Sequence, residues 1–296
     1  ERADLEDLLE NEPRRWAAIA YQIRETRERF GKKTELGRRM TDLGDVPADI
    51  VVPLEAVIER EPITVLCSQK GWIRAMKGHV EDASTAKYKE GDRERFVLQA
   101  QTTDKLLIFA TNGRLYTLGA DKLPGGRGFG EPLRLLFDLP NDQDVVAVLV
   151  HRTGGRLLVA SSEGRGFLVP EEEVIAQTKN GKQVLNISGA AEAQVCRPVP
   201  EGADSLAVVG DNHKLLIFPL EELPEMTRGK GVMLQRYRDG GMADAKCFTL
   251  SEGLSWTMGG AGDRTRTETD LAAWIGKRAS AGRLPPRGFP KNNRFD

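Results

Sequence analysis

The spacing of apolar positions changes near residue 49. Before it, Trp16, Ile19, Ala20 and Ile23 fall at i, i+3, i+4 and i+7, the stripe of an amphipathic helix. Asn11 is placed to cap that helix, Pro13 is tolerated in its first turn, and Gly31 is placed to end it. Leu5, Leu8 and Leu9 predict a short helix ahead of it. Helices this isolated are marginal alone, so the pair predicts packing against a partner. Residues 31–48 read as linker, which makes residues 1–48 a helical tail plus linker and residues 49–296 a second domain.

From residue 49 onward, short β-rich runs alternate with Gly, Asn, Asp and Pro turns, an all-β pattern. One unit, strand–turn–strand, recurs about every 42 to 51 residues. The copies are Ile63–Leu66 with Trp72–Arg74, Lys105–Phe109 with Arg114–Tyr116, Arg156–Val159 with Arg165–Val169, and Ser205–Val209 with Lys214–Phe218. A fifth copy near Leu254–Met258 is degraded, and Gly259–Asp263 beside it breaks the strand pattern. A lone hairpin is marginally stable, but repeated units bury one another's faces. Each period has room for four short strands, which predicts a propeller-like array of five blades. A linear solenoid is the other arrangement with this period. Pro170–Ile175 reads as a surface turn or short helix, with Glu171, Glu172 and Glu173 on a solvated face. Trp72 and Tyr116 read as core.

Charge matters through its distribution. The 43 basic and 44 acidic residues nearly cancel. Yet residues 1–12 carry six acids and one Arg, residues 41–62 also run acidic, and residues 264–294 hold eight basic residues against Glu268 and Asp270. Local blocks on a neutral chain predict one positive and one negative surface. Cys67, Cys196 and Cys247 have no metal-ligand spacing and read as buried free thiols, which fits a reducing cytoplasm. No apolar run approaches the ~18 residues that span a membrane. The chain opens on Glu1 rather than Met and reads as a piece of a longer protein.

A second signature recurs after the hairpins. Leu123–Leu133 (LPGGRGFGEPL), Gln177–Lys182 (QTKNGK), Leu223–Gly231 (LPEMTRGKG) and Gly276–Arg283 (GKRASAGR) are Gly-rich and basic and hold matching places in the repeats. Glycine lets main-chain N–H groups approach an anion, and flanking Arg or Lys supplies charge. Lining one rim, such patches suit a phosphate backbone. The candidate contacts are Lys70, Arg74, Lys77, Arg127, Arg134, Arg165, Lys179, Lys182, Arg228, Lys230, Arg236, Lys277, Arg278 and Arg283. Charge reversal at Arg74 with Lys77 is expected to weaken binding and leave the fold intact. With aromatics at 6%, duplex binding is favoured over single-strand stacking.

Enzymatic readings find little support. Gly125–Gly130 lacks the strand–helix context of a dinucleotide loop, and no GxxxxGK[ST] is present. His79, His151 and His213 are scattered; His79 and His213 could contact phosphate but read better as exposed loop residues. Arg236-Tyr237 reads as part of the basic rim, not as a cleavage site. No catalytic residue, cofactor site or metal site is assigned.

The ordered matches Leu66–His79 with Tyr88–Asp92, Leu123–Leu133 and Leu216–Gly231 carry a resemblance. The chain resembles the C-terminal domains of the A subunits of bacterial type II topoisomerases, the family that includes gyrase and topoisomerase IV. That resemblance implies a β-pinwheel, with strands exchanged between blades and often an open ring. It implies a bacterial, cytoplasmic and nucleoid-associated protein that bends duplex DNA around a basic rim. It also implies a B-subunit partner, dimerisation of the A subunit through a catalytic core outside this chain, and a cleaving tyrosine, ATP and Mg²⁺ used elsewhere in the holoenzyme. Gyrase-type members carry a basic box after the first hairpin. Lys77–Asp92 has none, which favours the topoisomerase IV branch, with decatenation and relaxation, over a gyrase-type domain. The other reading is a propeller that docks an acidic protein partner. A propeller enzyme or sugar binder lacks any clustered acids or metal set.

Overall fold

The computed structural model describes residues 1–38, 58–80, 83, 86–126, 128–258 and 264–296. Two compact units divide the chain, Glu1–Pro53 and Leu54–Asp296. In the first, α1 (Arg2–Glu10) precedes α2 (Glu12–Phe30). The Asn11 carboxamide oxygen accepts the Arg14 N–H at 3.3 Å, Pro13 sits in the first turn, and Gly31 ends the helix. Trp16, Ile19 and Ile23, the predicted apolar stripe, are exposed. Part of the expected linker, residues 39–48, lies outside the described residues.

The second unit repeats one plan. A hairpin of β1 (Pro62–Ser68) and β2 (Trp72–Lys77) is followed by β3 (Glu94–Gln101). Next come the hairpin β4 (Lys105–Ala110) and β5 (Arg114–Gly119), the short β6 (Glu131–Pro132), a helical turn α3 (Leu133–Leu136), and β7 (Val145–Val150). The third repeat has β8 (Arg156–Ser161), β9 (Arg165–Pro170), the short β10 (Lys182–Gln183) and β11 (Ala193–Pro198). The fourth has β12 (Ser205–Gly210), β13 (Leu215–Pro219), the short β14 (Val232–Met233) and β15 (Met242–Phe248). A last hairpin joins β16 (Leu254–Met258) to β17 (Arg264–Glu268).

The sheets do not coincide with the repeats. Their orders are β3-β1-β2-β6, β7-β4-β5-β10, β11-β8-β9-β14, β15-β12-β13 and β16-β17. Each short strand therefore completes the sheet of the repeat before its own: Trp72 pairs with Pro132, Arg114 with Gln183, and Arg165 with Met233. The fourth sheet receives Arg283 against Leu215 in the same way. This is a β-pinwheel, as expected. The degraded fifth copy still forms an antiparallel hairpin, Leu254 opposite Glu268 and Met258 opposite Arg264.

Burial explains the uninterrupted apolar runs. Alternate residues of one strand enter different cores, so both faces of a blade are buried. Leu106 and Ile108 pack with Val65 and Ile73 of blade one, while Leu107 and Phe109 pack with Leu157 and Val159 of blade three. Leu158 and Leu168 meet Leu206 and Val208, and Ala207 and Ile217 meet Leu254 and Trp256. Each such aliphatic side chain contributes about 1.5–3 kcal/mol. Four cores thus fill four successive blade boundaries. Among the described residues, no core cluster joins the last hairpin to blade one.

Each end of the array is covered by chain from outside the repeat. On blade one, Thr64 and Leu66 face away from blade two yet are buried. Gly78 and Val80, just after β2, close over Thr64: its Oγ1 donates to the Gly78 carbonyl and accepts the Val80 N–H, both at 2.8 Å. At the other end, the fully buried Phe295 packs on Phe289, its carbonyl accepting the Thr257 N–H at 2.9 Å. Its own N–H donates to Asp244, which is fully buried and paired with Arg197 at 2.9 Å.

All three cysteines are buried and unpaired. Burial pushes the Cys67 and Cys247 thiols up to about 12 and raises Cys196 as well. Because the thiolate is the nucleophile, a maleimide or iodoacetamide reagent at neutral pH is expected to label no cysteine in the native protein and all three after denaturation. Mass spectrometry of the treated chain checks this.

Several side chains depart from the expectations above. Glu171 is buried, not solvated: it accepts the Arg152 N–H at 2.7 Å, and burial raises its carboxyl above the ordinary value. Trp72 is half-buried beneath Lys89, whose Nζ lies 3.3 Å from the ring centroid. His213 is not a free loop histidine. It takes φ 54° in its turn and shares a 2.6 Å hydrogen bond with Asn293.

Candidate nucleic-acid interface

Adjacent blades meet through β3, β7, β11 and β15, so β2, β5, β9 and β13 lie on the far side of each sheet. The four Gly-rich basic segments run along that outer edge. Each leaves one blade's hairpin and crosses to the blade before it. The Ala75 N–H donates to Pro124 C=O, Leu168 N–H to Pro224 C=O, and Ile217 N–H to Trp274 C=O, all within 3.0 Å. In the second blade, Ala176 N–H donates to Thr117 Oγ1 at 2.8 Å. Ala75, Thr117, Leu168 and Ile217 hold the same position in their strands, so the crossings are equivalent.

This geometry gives four of the glycines a packing role. Gly130, Gly181, Gly231 and Gly282 each precede the point where the crossing joins the outer strand, and each has a positive φ. A Cβ would lie 2.2 Å from the Ile73 carbonyl oxygen at Gly130 and 2.4 Å from that of Gly166 at Gly231. At Gly181 and Gly282 it would lie 2.9 Å from Leu115 O and 2.7 Å from Leu215 O. These glycines let one blade's chain close onto its neighbour. Approach to an anion is not needed to explain them.

The fourteen candidate cations divide by what holds them. Lys70 stands exposed in the first hairpin turn, and Arg165 is half-exposed at the start of β9. Lys179, Arg236, Lys277 and Arg283 are exposed, and no carboxylate among the described residues lies within ion-pair distance of them. Arg228 Nε donates to Asn186 Oδ1 at 3.2 Å and Lys230 Nζ to Ser188 Oγ at 3.0 Å, neutral partners that leave both charges unbalanced. Lys77 pairs with Glu61 at 2.8 Å, and that carboxylate holds its ammonium above the ordinary value. Lys182 lies 3.8 Å from Glu173. Arg127 lies outside the described residues.

Three of the fourteen have their guanidinium groups committed to the fold, Arg134 while still exposed. Arg74 is buried: one guanidinium nitrogen donates to Lys87 C=O at 2.9 Å, the other to Gly128 C=O, and Tyr88 flanks it. It ties the cover of blade one to the first crossing. The expectation that its reversal leaves the fold intact is therefore corrected, because a carboxylate there would face two carbonyl oxygens in a buried site. Arg134 donates to the carbonyls of Leu139, Pro140 and Gln143 and closes the loop after α3. Arg278 is half-buried, donating to Met233 C=O at 2.8 Å with Glu222 3.8 Å away. Tyr237, next to Arg236, packs its ring against Gly164 and Gly210.

Two cations escaped the sequence reading. Arg114 and Lys214 occupy the same strand position as Arg165, beside the outer edge, and Arg114 Nη1 donates to Asn180 C=O in the crossing at 2.7 Å. The matching repeat position was the available signal. Acidic residues gather at the opposite end of the blades. The 3₁₀ turns that follow β5, β9 and β13 carry Asp121, Glu171–Glu173 and Glu221–Glu222. Antiparallel pairing places those turns away from the hairpin loops that precede Arg114, Arg165 and Lys214. Among the described residues no group of three or more His, Cys, Asp or Glu could hold a metal ion, and no helix is long and apolar enough to cross a membrane.

The family model of the DNA gyrase C-terminal domain, a beta-propeller, matches residues 104–152, 155–192 and 204–242, three consecutive repeats. The DNA topoisomerase 4 A subunit of Rickettsia bellii is 44% identical over 296 residues, all of this chain and 39% of the relative. The chain belongs to the gyrase A C-terminal domain family. Within that family, the topoisomerase 4 A subunit of Caulobacter vibrioides is 45% identical over 306 residues, again covering 100% of this chain and 39% of the relative. The chain thus spans about two fifths of the length of these curated relatives. Among solved structures, the E. coli ParC C-terminal domain superposes with a TM-score of 0.67 at 27% identity, covering 78% of this chain and 96% of that one. A DNA gyrase A C-terminal domain gives 0.55 at 15% identity, over 79% and 80% of the two chains, a likeness of fold. The topoisomerase IV resemblance read from the sequence is borne out by these relatives.

Proposed function

We propose that this gyrase A C-terminal domain binds and bends duplex DNA along its outer edge. In the whole subunit it presents that DNA for ATP-dependent strand passage in decatenation and relaxation. The observation that carries the reading is the equivalence of the crossings: one path repeats at the outer edge, and the second, third and fourth crossings set unbalanced cations on it. Lys179, Arg228, Lys230, Lys277 and Arg283 recur there, so a curved polyanion meets the same contact blade after blade. Contacts of this kind go to phosphates and read little sequence. Bending a ~20–30 bp segment costs on the order of 1–6 kcal/mol, so several contacts must act together. The A-subunit dimer, the B subunit, ATP and Mg²⁺ belong to the whole enzyme in this reading, and this chain supplies no catalytic group. Lys77–Asp92 carries no basic box, which favours bending over extended wrapping.

Fluorescence anisotropy with a labelled duplex tests this. Log affinity is expected to fall linearly with log salt, by roughly 0.9 per phosphate neutralised. An affinity that stays level from low to moderate salt would overturn the proposal.

A further inference from the structure

Four outer strands are paired on both sides, and the fifth is not. β2 receives β6, β5 receives β10 and β9 receives β14. β13 receives Arg283, whose N–H and C=O both bond Leu215. β17 holds the matching place in the last hairpin. The chain after it crosses to Ile217 and Leu215 of blade four, as the chain after β5, β9 and β13 crosses to the blade before. No segment among the described residues pairs with the outer side of β17. The fifth blade therefore stops at two strands where blades one to three have four.

The direction of the main chain shows what that side offers. Ser255 C=O accepts a hydrogen bond from Lys246 Nζ at 3.0 Å, and Thr257 N–H donates to Phe295 C=O at 2.9 Å, both on the inner side of β16. In an antiparallel pair, two residues opposite one another turn their peptide groups either both toward each other or both away. Thr267 and Thr265 stand opposite Ser255 and Thr257, so their N–H and C=O groups point out from the open edge. Both threonines are exposed, as is Arg264. An open row of this kind is a template for another strand.

The sequence of β17, Arg264-Thr265-Arg266-Thr267-Glu268, matches itself. Run antiparallel about Arg266, Thr265 meets Thr267 of a second copy, both with outward peptide groups, and Arg264 meets Glu268, opposite charges directly across the pair. Of the registers that join outward residues, only this one aligns all five positions. The two Arg266 side chains would stand opposite each other, yet each is drawn over its own Trp256, with Cζ 5.8 Å from the ring centroid, and paired with its own Glu268 at 3.6 Å. We infer that β17 is the contact through which two copies of this chain associate. Their edges join into one sheet, β16-β17-β17-β16, with the four strands that blades one to three reach by exchange. A patch that meets itself across a two-fold axis is the commonest form of association. Two short edges make a small interface, so the pairing is weak and depends on concentration. It requires no nucleic acid and stands apart from the DNA reading.

Sedimentation equilibrium of the intact chain, without DNA, tests this. A monomer–dimer equilibrium is expected between micromolar concentration and about 1 mM. Thr265→Pro removes one outward N–H and leaves the pairing to β16 in place, so it should give a monomer with an unchanged circular dichroism melt. Arg264→Glu and Glu268→Arg should each lose the dimer alone, because like charges then face each other. A mixture of the two should regain it, because only the mixture opposes unlike charges at both sites. Mild oxidation of a Thr265→Cys chain mixed with a Thr267→Cys chain should link positions 265 and 267, whose Cα atoms would lie about 5.5 Å apart. The native cysteines are buried and do not compete. Thr265→Cys alone should link far less. A wild type that stays monomeric up to about 1 mM overturns the inference. A dimer that survives in folded Thr265→Pro, or one that no charge mixture restores, assigns the contact to another face and overturns it too.

Discussion

Replacing Arg165, Lys179, Arg228 and Lys230 together with alanine is expected to reduce duplex affinity by roughly three orders of magnitude near 0.1 M salt. Each lost phosphate contact removes about 0.9 from the slope of log affinity against log salt, so four contacts remove about 3.6. Relative to 1 M salt, that slope change amounts to more than a thousandfold at 0.1 M. The four were chosen because none is paired with a carboxylate among the described residues. Arg228 and Lys230 lose only exposed hydrogen bonds to Asn186 and Ser188, which contribute little to stability. The folded state should persist, as an unchanged circular dichroism melt would show. The matching comparison removes Lys77, Lys182 and Arg134, whose charges are balanced by Glu61 and Glu173 or committed to carbonyls. That triple variant should change the slope by much less. Equal losses in the two variants would mean that the outer edge does not select among its cations, and the phosphate-contact reading would fail.

The sequence reveals some of this edge and hides the rest for physical reasons. The hairpins are legible because a blade strand is buried on both faces: after a polar first residue, the runs 106–110 and 206–209 stay apolar and stop at turns. Strand exchange is not legible from pattern. The exchanged strands Glu131–Pro132, Lys182–Gln183 and Val232–Met233 are two residues long, too short for any period to show. Only the family resemblance implied it. The basic segments are legible as a repeated composition, and they do share the outer edge. Arg74 misleads because its guanidinium is held by the carbonyls of Lys87 and Gly128, and nothing local in Trp72–Lys77 announces those partners. Glu171 misleads likewise. It stands in a run of three acids, yet one of the three turns inward to the Arg152 amide. Conversely, Arg114 and Lys214 were within reach, since the register that marks Arg165 marks them too.

Gly231→Ala is expected to destabilise the domain by about 3 kcal/mol or more, from two separate causes. Its φ of 72° lies in the left-handed region, where an alanine costs roughly 1–2 kcal/mol relative to glycine. The added Cβ would also lie 2.4 Å from the Gly166 carbonyl oxygen and 2.6 Å from its carbon. Both are backbone atoms of β9 in the preceding blade, so relief requires the crossing to lift off the strand it completes. Gly189→Ala separates the two causes. Its φ of 66° is nearly the same, but nothing lies within 4 Å of the added Cβ. That variant should therefore show only the conformational cost. Denaturant unfolding of both variants measures the difference, and equal midpoints would show that the crossing has room to yield. If the difference appears, the stability of each blade depends on chain donated by the next one. The glycines and the cations of the same segments then have distinct duties: the glycines seat the crossing on its neighbour, and the cations face outward from the edge so formed. A Gly231→Ala protein that remains folded at low temperature should accordingly keep the wild-type salt slope, because the substitution removes no charge.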